Sequence, residues 1–310
     1  MKQTLLKYIL ICMLIISGIR GFAQQDPMFT QYMNNPVLIN PAYAGSQGEL
    51  NFNGIFRKQW VGLEWQPTTT TFSINSPMKN NNVGVGATFI NDKIGPIQQT
   101  GVYLDYAYYL EFDNRSKLSM GLMGGFNYYQ KDLRGLTTYE DDPWVNQYPV
   151  TAKPLFNAGV GLYYYSDRYF IGASVPKLLR NSLTDADNTY ELIGREERHY
   201  FFTGGMVFKV NTILKFKPTA MVRMISGAPA SLEVSGTAIF YDQFWVGLTY
   251  RVQDAIAAHA RVQVNSRFQV GYSYDLNNSR LRNYNWGTHE IFLSYTFTRR
   301  GQRILSPRYF

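Results

Sequence analysis

The stretch Thr100-Gly101-Val102-Tyr103-Leu104-Asp105-Tyr106-Ala107-Tyr108-Tyr109-Leu110-Glu111 decides the fold. Read odd against even, Val102, Leu104, Tyr106, Tyr108 and Leu110 share one face, and Tyr103, Asp105, Ala107, Tyr109 and Glu111 share the other. A period of two belongs to a β-strand, because successive Cβ atoms point to opposite sides of a sheet. One face here is apolar throughout, while the other admits carboxylates.

The same alternation returns near the end of the chain. Phe244, Val246, Leu248 and Tyr250 form one apolar face, Ile256, Ala258, Ala260, Val262 and Val264 a second, and Phe268, Val270, Tyr272, Tyr274 and Leu276 a third. Ile291, Leu293, Tyr295 and Phe297 form a fourth. The opposite faces carry Arg251, His259, Arg261, Gln263, Arg267, Gln269, Asp275 and Glu290. Alternation alone also fits a soluble β-sandwich, so the connectors have to separate the two readings.

Strands are expected at 49–59, 68–78, 83–91, 99–112, 116–130, 155–165, 168–175, 198–210, 213–224, 229–240, 243–252, 255–264, 267–276 and 288–298, about fourteen in all. Counted from the first hairpin, the even connectors are tight: Lys79–Asn82, Asp113–Arg115, Ser166-Asp167, Asn211-Thr212, Tyr241-Asp242 and Asn265-Ser266. The long ones, Lys131–Pro154, Pro176–Glu197 and Asn277–Gly287, are all odd. Up-and-down outer-membrane barrels have short periplasmic turns, longer outer loops and an even strand count. The expectation is therefore an all-β, transmembrane, antiparallel up-and-down barrel of one domain.

Composition agrees. Aromatic residues make up 16% of the chain, and charged residues only 17%, below the roughly 25% of an average soluble domain. Lys2 and Lys7, the apolar run from Tyr8 to Ile16, and Gly21-Phe22-Ala23 read as an export signal over residues 1–23. Removing Lys2, Lys7 and Arg20 takes Lys+Arg from 30 to 27 against 22 acids, so the formal charge falls from +8 to +5. That excess contains no basic run and gives no reason to expect nucleic acid. The single cysteine, Cys12, lies in the signal and offers the exported chain no thiol chemistry.

Residues 24–48 read as a periplasmic or plug-like segment, 49–298 as the barrel and 299–310 as a periplasmic tail. The first of these contains Gln25-Asp26-Pro27-Met28-Phe29-Thr30-Gln31-Tyr32-Met33 and Asn40-Pro41-Ala42-Tyr43-Ala44-Gly45. Its prolines exclude a continuous helix or strand, yet Phe29, Tyr32, Met33, Val37, Leu38 and Tyr43 are too apolar for a solvated tail. The segment is expected to pack on something, either filling the barrel mouth or docking a periplasmic partner.

Those two runs resemble the QDP-x-[FL]-[ST]-QY-M and NPAYAG signature of the PorP/SprF family, outer-membrane proteins associated with type IX secretion and gliding motility. Arg57-Lys58-Gln59-Trp60 with Pro67-Thr68, and the closing Pro307-Arg308-Tyr309-Phe310, extend the resemblance. Glu64-Trp65-Gln66 stands where the family usually has a glycine. The resemblance implies an accessory, non-enzymatic role without a cofactor. The barrel would assist export or surface anchoring of a large adhesin or secreted enzyme, recognised through its C-terminal domain. A periplasmic peptidoglycan-binding partner is also implied.

Candidate partner-binding residues are Asp26, Phe29, Tyr32, Asn40, Pro41 and Tyr43 before the barrel, and Tyr139, Asp141, Asp142 and Trp144 in the acidic, aromatic loop 131–154. Arg280, Arg282 and Trp286 in 277–287 place cations beside aromatics, a combination suited to lipopolysaccharide phosphates or an acidic partner. Asp185-Ala186-Asp187-Asn188 lacks the glycine and distal glutamate of a calcium loop. A passive or selective solute channel is the alternative, and would need an open lumen in place of paired internal charges. A hydrolase would need His199, His259 or His289 beside a nucleophile or acid, and no such constellation is visible.

Overall fold

The computed structural model describes residues 27–79, 82–134, 150–183, 195–278 and 280–297. Its strands are β1 (Leu50–Lys58), β2 (Thr68–Pro77), β3 (Val83–Ile94), β4 (Ile97–Glu111), β5 (Lys117–Asp132), β6 (Val150–Tyr165), β7 (Tyr169–Val175), β8 (His199–Met206), β9 (Phe208–Lys209), β10 (Leu214–Ile225), β11 (Ala228–Phe240), β12 (Phe244–Arg251), β13 (Ala255–Gln263), β14 (Phe268–Asn277) and β15 (Thr288–Phe297). Neighbours in sequence pair antiparallel around one sheet. The first and last strands then pair from Leu50↔Phe297 to Lys58↔His289, which closes the barrel.

β8 and β9 are two pieces of one wall strand, since both pair with β10 in a common register, Thr219↔Gly205 and Phe216↔Phe208. The gap falls opposite Pro218, which has no N–H to contribute to a ladder. The wall therefore has fourteen strands.

Burial is inverted relative to a soluble protein. On β4, Leu104 is 62% exposed while its neighbour Asp105 is 5% exposed; on β12, Leu248 is 64% exposed beside buried Thr249. Phe56, Phe72, Phe126, Phe156, Ile171, Val246 and Ile291 continue this outward apolar surface around the wall. Soluble monomers rarely expose contiguous apolar patches beyond a few hundred Å². A continuous apolar belt on a closed barrel is instead what a lipid-facing wall requires. At the turn-bearing end, Phe112 and Tyr169 flank Tyr164 at ring-centroid distances of 6.2 and 6.0 Å, an aromatic group of the kind found at membrane interfaces.

The long connectors fall at one end and the short turns at the other, with one revision. β3 and β4 run on to a two-residue turn at Gly95-Pro96, closed by the pair Ile94↔Ile97. Asn91, Asp92 and Lys93 belong to the strand even though they break its apolar alternation. This part of the hairpin nears the loop-bearing rim, where an apolar outward face is no longer needed.

Candidate functional site in the barrel lumen

Residues 27–46 lie inside the barrel. Three 3-10 turns, Tyr32–Asn34, Pro36–Leu38 and Pro41–Tyr43, give the segment its compact path. Pro36 and Pro41 open the second and third turns, where their fixed φ suits a helical start and no N–H is missed. Asn40 caps the third through its side chain, accepting from Ala42 N at 3.0 Å.

The loop-bearing end of the segment is held by charge. Arg57 donates to Glu290 Oε2 at 2.8 Å, to Asp275 Oδ2 at 2.8 Å and to Thr30 Oγ1 at 3.1 Å. Glu290 accepts the backbone N–H of Thr30 at 3.0 Å and of Gln31 at 2.8 Å, and the Thr30 hydroxyl donates to Asp275 at 2.6 Å. Beside this network Arg251 pairs with Glu233 at 2.8 Å and Asp254 at 3.0 Å. Ion pairs buried this deeply hold only when hydrogen bonds satisfy the remaining polar atoms, and the segment's backbone supplies two of them.

Lower in the lumen, Phe29, Tyr32, Met33 and Ile39 pack with Ile55, Phe201, Met221 and Phe292 of the wall. Asn35 Oδ1 accepts from Asn53 Nδ2 at 3.3 Å and Ser73 Oγ at 3.0 Å. The segment then circles the turn-bearing end. Asn40 Nδ2 donates to Leu162 O at 3.0 Å, and Ser174 and Ser119 donate to the carbonyls of Ile39 and Ala42, each at 2.6 Å. The Tyr109 hydroxyl donates to Ala44 O.

Glycines make room for this course. A Cβ at Gly84, Gly121 or Gly161 would lie inside contact distance of Ala44 O, Ala42 N or Asn40 Oδ1 respectively. Gly45 itself adopts φ 71°, a left-handed conformation that suits glycine, as the chain turns toward β1. The segment thus enters beside Arg57 at the loop-bearing end and leaves for β1 at the turn-bearing end.

Of the candidate residues, Phe29, Tyr32, Asn40, Pro41 and Tyr43 come together in the lumen, all buried. Tyr43 meets Tyr163 edge-on at 5.4 Å. Arg282 and Trp286 sit apart from them on the loop-bearing rim, where Trp286 is 76% exposed. The backbone N–H of Trp286 donates to Val61 O at 2.7 Å, tying this loop to the first hairpin. Arg280 opens the 3-10 turn Arg280–Tyr284 of the same loop. Asp26, Tyr139, Asp141, Asp142 and Trp144 lie outside the described residues, as do Asp185, Asp187, residues 1–23 and 299–310.

Of the charged residues expected to face inward, Asp105, Arg251, His259, Asp275 and Glu290 are buried in the lumen. Glu111 and Arg267 are exposed instead, because they stand at strand ends where solvent takes the charge. Glu111 pairs there with Lys117 at 3.0 Å. Arg57, quoted from the sequence only within the family motif, and Glu233, which sequence reasoning did not single out, hold three buried ion pairs, Arg57 with Asp275 and Glu290 and Glu233 with Arg251. Their inward parity on β1 and β11 was the available signal.

The histidines are dispersed. His259 is buried between the hydroxyls of Thr237 at 3.0 Å and Thr249 at 3.4 Å, His199 is buried beside Phe201, and His289 lies on the outer surface against Tyr272 Oη at 2.6 Å. Among the described residues no three potential metal ligands converge. On the rim, Arg134 bonds Asp132 at 2.6 Å, and that carboxylate raises the guanidinium above its usual range.

Solved structures similar to this chain include the Acinetobacter baumannii outer membrane protein Omp33, at 8% identity and TM-score 0.46 over 80% of this chain and 99% of that one. A Pseudomonas aeruginosa FadL homologue is similar at 10% identity and TM-score 0.44, over 80% and 89% of the two chains. At such scores the fold assignment rests on the closed sheet and its apolar belt. No curated protein sequence matches the chain. The family described as type IX secretion system membrane protein PorP/SprF matches residues 21–295, so the chain belongs to the PorP/SprF family and is an integral outer-membrane β-barrel.

Proposed function

We propose that this barrel serves type IX secretion as a platform that helps export, or anchors at the cell surface, one large partner protein through that partner's C-terminal domain. The observation that carries this reading is the filled lumen. Residues 27–46 occupy it under hydrogen bonds, ion pairs and apolar packing, and a remaining cavity beside Tyr32, Met33 and Lys217 measures about 10 Å³. Space of that order admits about one water. A wall closed around its own chain offers a partner its rims rather than a passage.

The loop-bearing rim has the matching chemistry. Exposed Trp65, Tyr284 and Trp286 stand with Arg282, and β5 and β6, which the acidic, aromatic stretch with Tyr139, Asp141, Asp142 and Trp144 connects in sequence, meet at the same rim. Aromatics and arginine are the side chains that most often dominate binding energy at protein interfaces. Short turns mark the periplasmic end of such barrels, so this rim faces outward and can also meet lipopolysaccharide. The peptidoglycan-binding partner would use the turn-bearing rim.

The test is surface display of the exported partner in a strain lacking this chain. Full-length protein should restore display and copurify the partner, whereas a form with residues 135–149 replaced by a short turn should do neither. Equal rescue by both forms overturns the loop's role. A steady single-channel conductance of the full-length protein in a planar bilayer would overturn the platform in favour of a solute channel.

A further inference from the structure

We propose that the outer face of the wall at the β15–β1 seam carries a binding site for lipopolysaccharide, with a phosphate at Lys58 and Lys93 and a sugar on Trp286. The outward side chains of this seam stand in rows set by the register. Phe56 lies opposite Ile291, both 44% exposed, and the next row toward the loops pairs Lys58 with His289. That row continues to Tyr274 on β14 in one direction, and through Thr68 on β2 to Lys93 on β3 in the other. Above it the connector of the first hairpin is bridged to the 277–287 loop, Trp286 N to Val61 O at 2.7 Å and Val61 N to Gly287 O at 2.9 Å.

The aromatic side of the site is held in place. Tyr272 Oη bonds His289 Nδ1 at 2.6 Å, and the Tyr274 hydroxyl donates to Trp286 O at 3.1 Å. A Cβ at Gly62 would lie 2.6 Å from Trp286 Cδ1, so the indole is seated on a glycine whose φ of 99° also suits no other residue well. The indole is still 76% exposed. Lys58 enters no ion pair among the described residues. Asp132, the carboxylate that feels Lys93, is bonded by Arg134 at 2.6 Å.

Vertical order selects the ligand. Successive outward rows are about 7 Å apart along a strand, and Lys58 and Lys93, two strands apart, are separated by roughly 10 Å. Apolar wall, cationic row and indole therefore follow one another from the belt outward. A phospholipid has acyl chains and a phosphate for the first two tiers and nothing for the third, and a soluble peptide has no acyl chains for the first. Lipopolysaccharide carries acyl chains, phosphate and saccharide in this order, and the flat face of an indole suits the C–H face of a sugar ring. The site rests on the outward placement of this rim and not on the exported partner, so its failure leaves the surface-display test untouched.

The experiment titrates the full-length chain, delipidated in detergent, with purified lipopolysaccharide, the same material dephosphorylated, and phosphatidylglycerol, read by native mass spectrometry. Intact lipopolysaccharide should bind saturably, and the dephosphorylated form about tenfold more weakly or worse, as charge-assisted contacts are lost. Lys58→Gln with Lys93→Gln should reproduce that loss. Trp286→Ala should weaken lipopolysaccharide and leave phosphatidylglycerol unchanged. Equal binding of the three lipids would mean an interfacial girdle only and overturns the proposal, as does undiminished lipopolysaccharide binding in either variant. Should the double variant fail to fold, the dephosphorylated lipid on the unaltered protein decides the part of the phosphate.

Discussion

Thr30-Gln31 and Asn40–Gly45 belong to one internal segment, yet the wall holds them by different physics. At Thr30-Gln31 the grip is electrostatic, with Arg57 and two carboxylates closing around backbone N–H groups. At Asn40–Gly45 the grip is steric, with backbone laid against glycines and finished by neutral hydroxyl donors. A charged clamp fails abruptly when one partner is removed, because the others stay buried and unpaired. A fitted groove tolerates loss of a hydrogen bond but not added bulk.

That contrast can be broken most severely from the steric side. Gly121→Val places a side chain against the Ala42 backbone and is expected to cost about 5 kcal/mol or more, the exceptional end for point substitutions, read as loss of the heat-modifiable folded band on gels. Arg57→Met should follow, at about 3–5 kcal/mol in urea unfolding. Adding Asp275→Asn and Glu290→Gln should recover most of that loss, and no recovery would show that packing, rather than stranded charge, is what Arg57 supplies. Ser119→Ala removes one donor to Ala42 O and should cost about 1 kcal/mol in the same assay. Arg134→Ala, on an exposed rim pair, should leave the midpoint unchanged, and any clear shift would mean that the rim is coupled to the lumen.

The wall was legible because a lipid-facing strand must alternate, and every strand from β10 to β15 does so in its outward residues. The Gly95-Pro96 turn was not, since near the rim the outward positions no longer need to be apolar. The start of β6 was obscured by Pro154, which sits inside the strand, paired with Tyr128, with its side chain on the exposed face. The break between β8 and β9 depends on Pro218 of the partner strand, a cross-strand cause that no single segment displays.

For the internal segment, composition signalled burial but not direction. Which end lies beside Arg57 is set by Glu290 and Asp275, more than two hundred residues away in sequence. The glycines of the groove are visible in the sequence as glycines within strands, where the strand alone gives them no partner. Only the approach of Ala42, Ala44 and Asn40 reveals what Gly121, Gly84 and Gly161 accommodate.

The Arg57–Glu290 ion pair joins β1 to β15, the seam at which the cylinder is finally sewn shut. The internal segment meets the wall at that seam, so the seam has its full set of partners only when the segment is in place. Glu290 brings with it the acceptor for Thr30 and Gln31 and the counter-charge for Arg57, so completing the wall and locking its contents become the same event. A barrel closed without its internal segment would bury Glu290 without the N–H groups of Thr30 and Gln31, and Arg57 without the Thr30 hydroxyl.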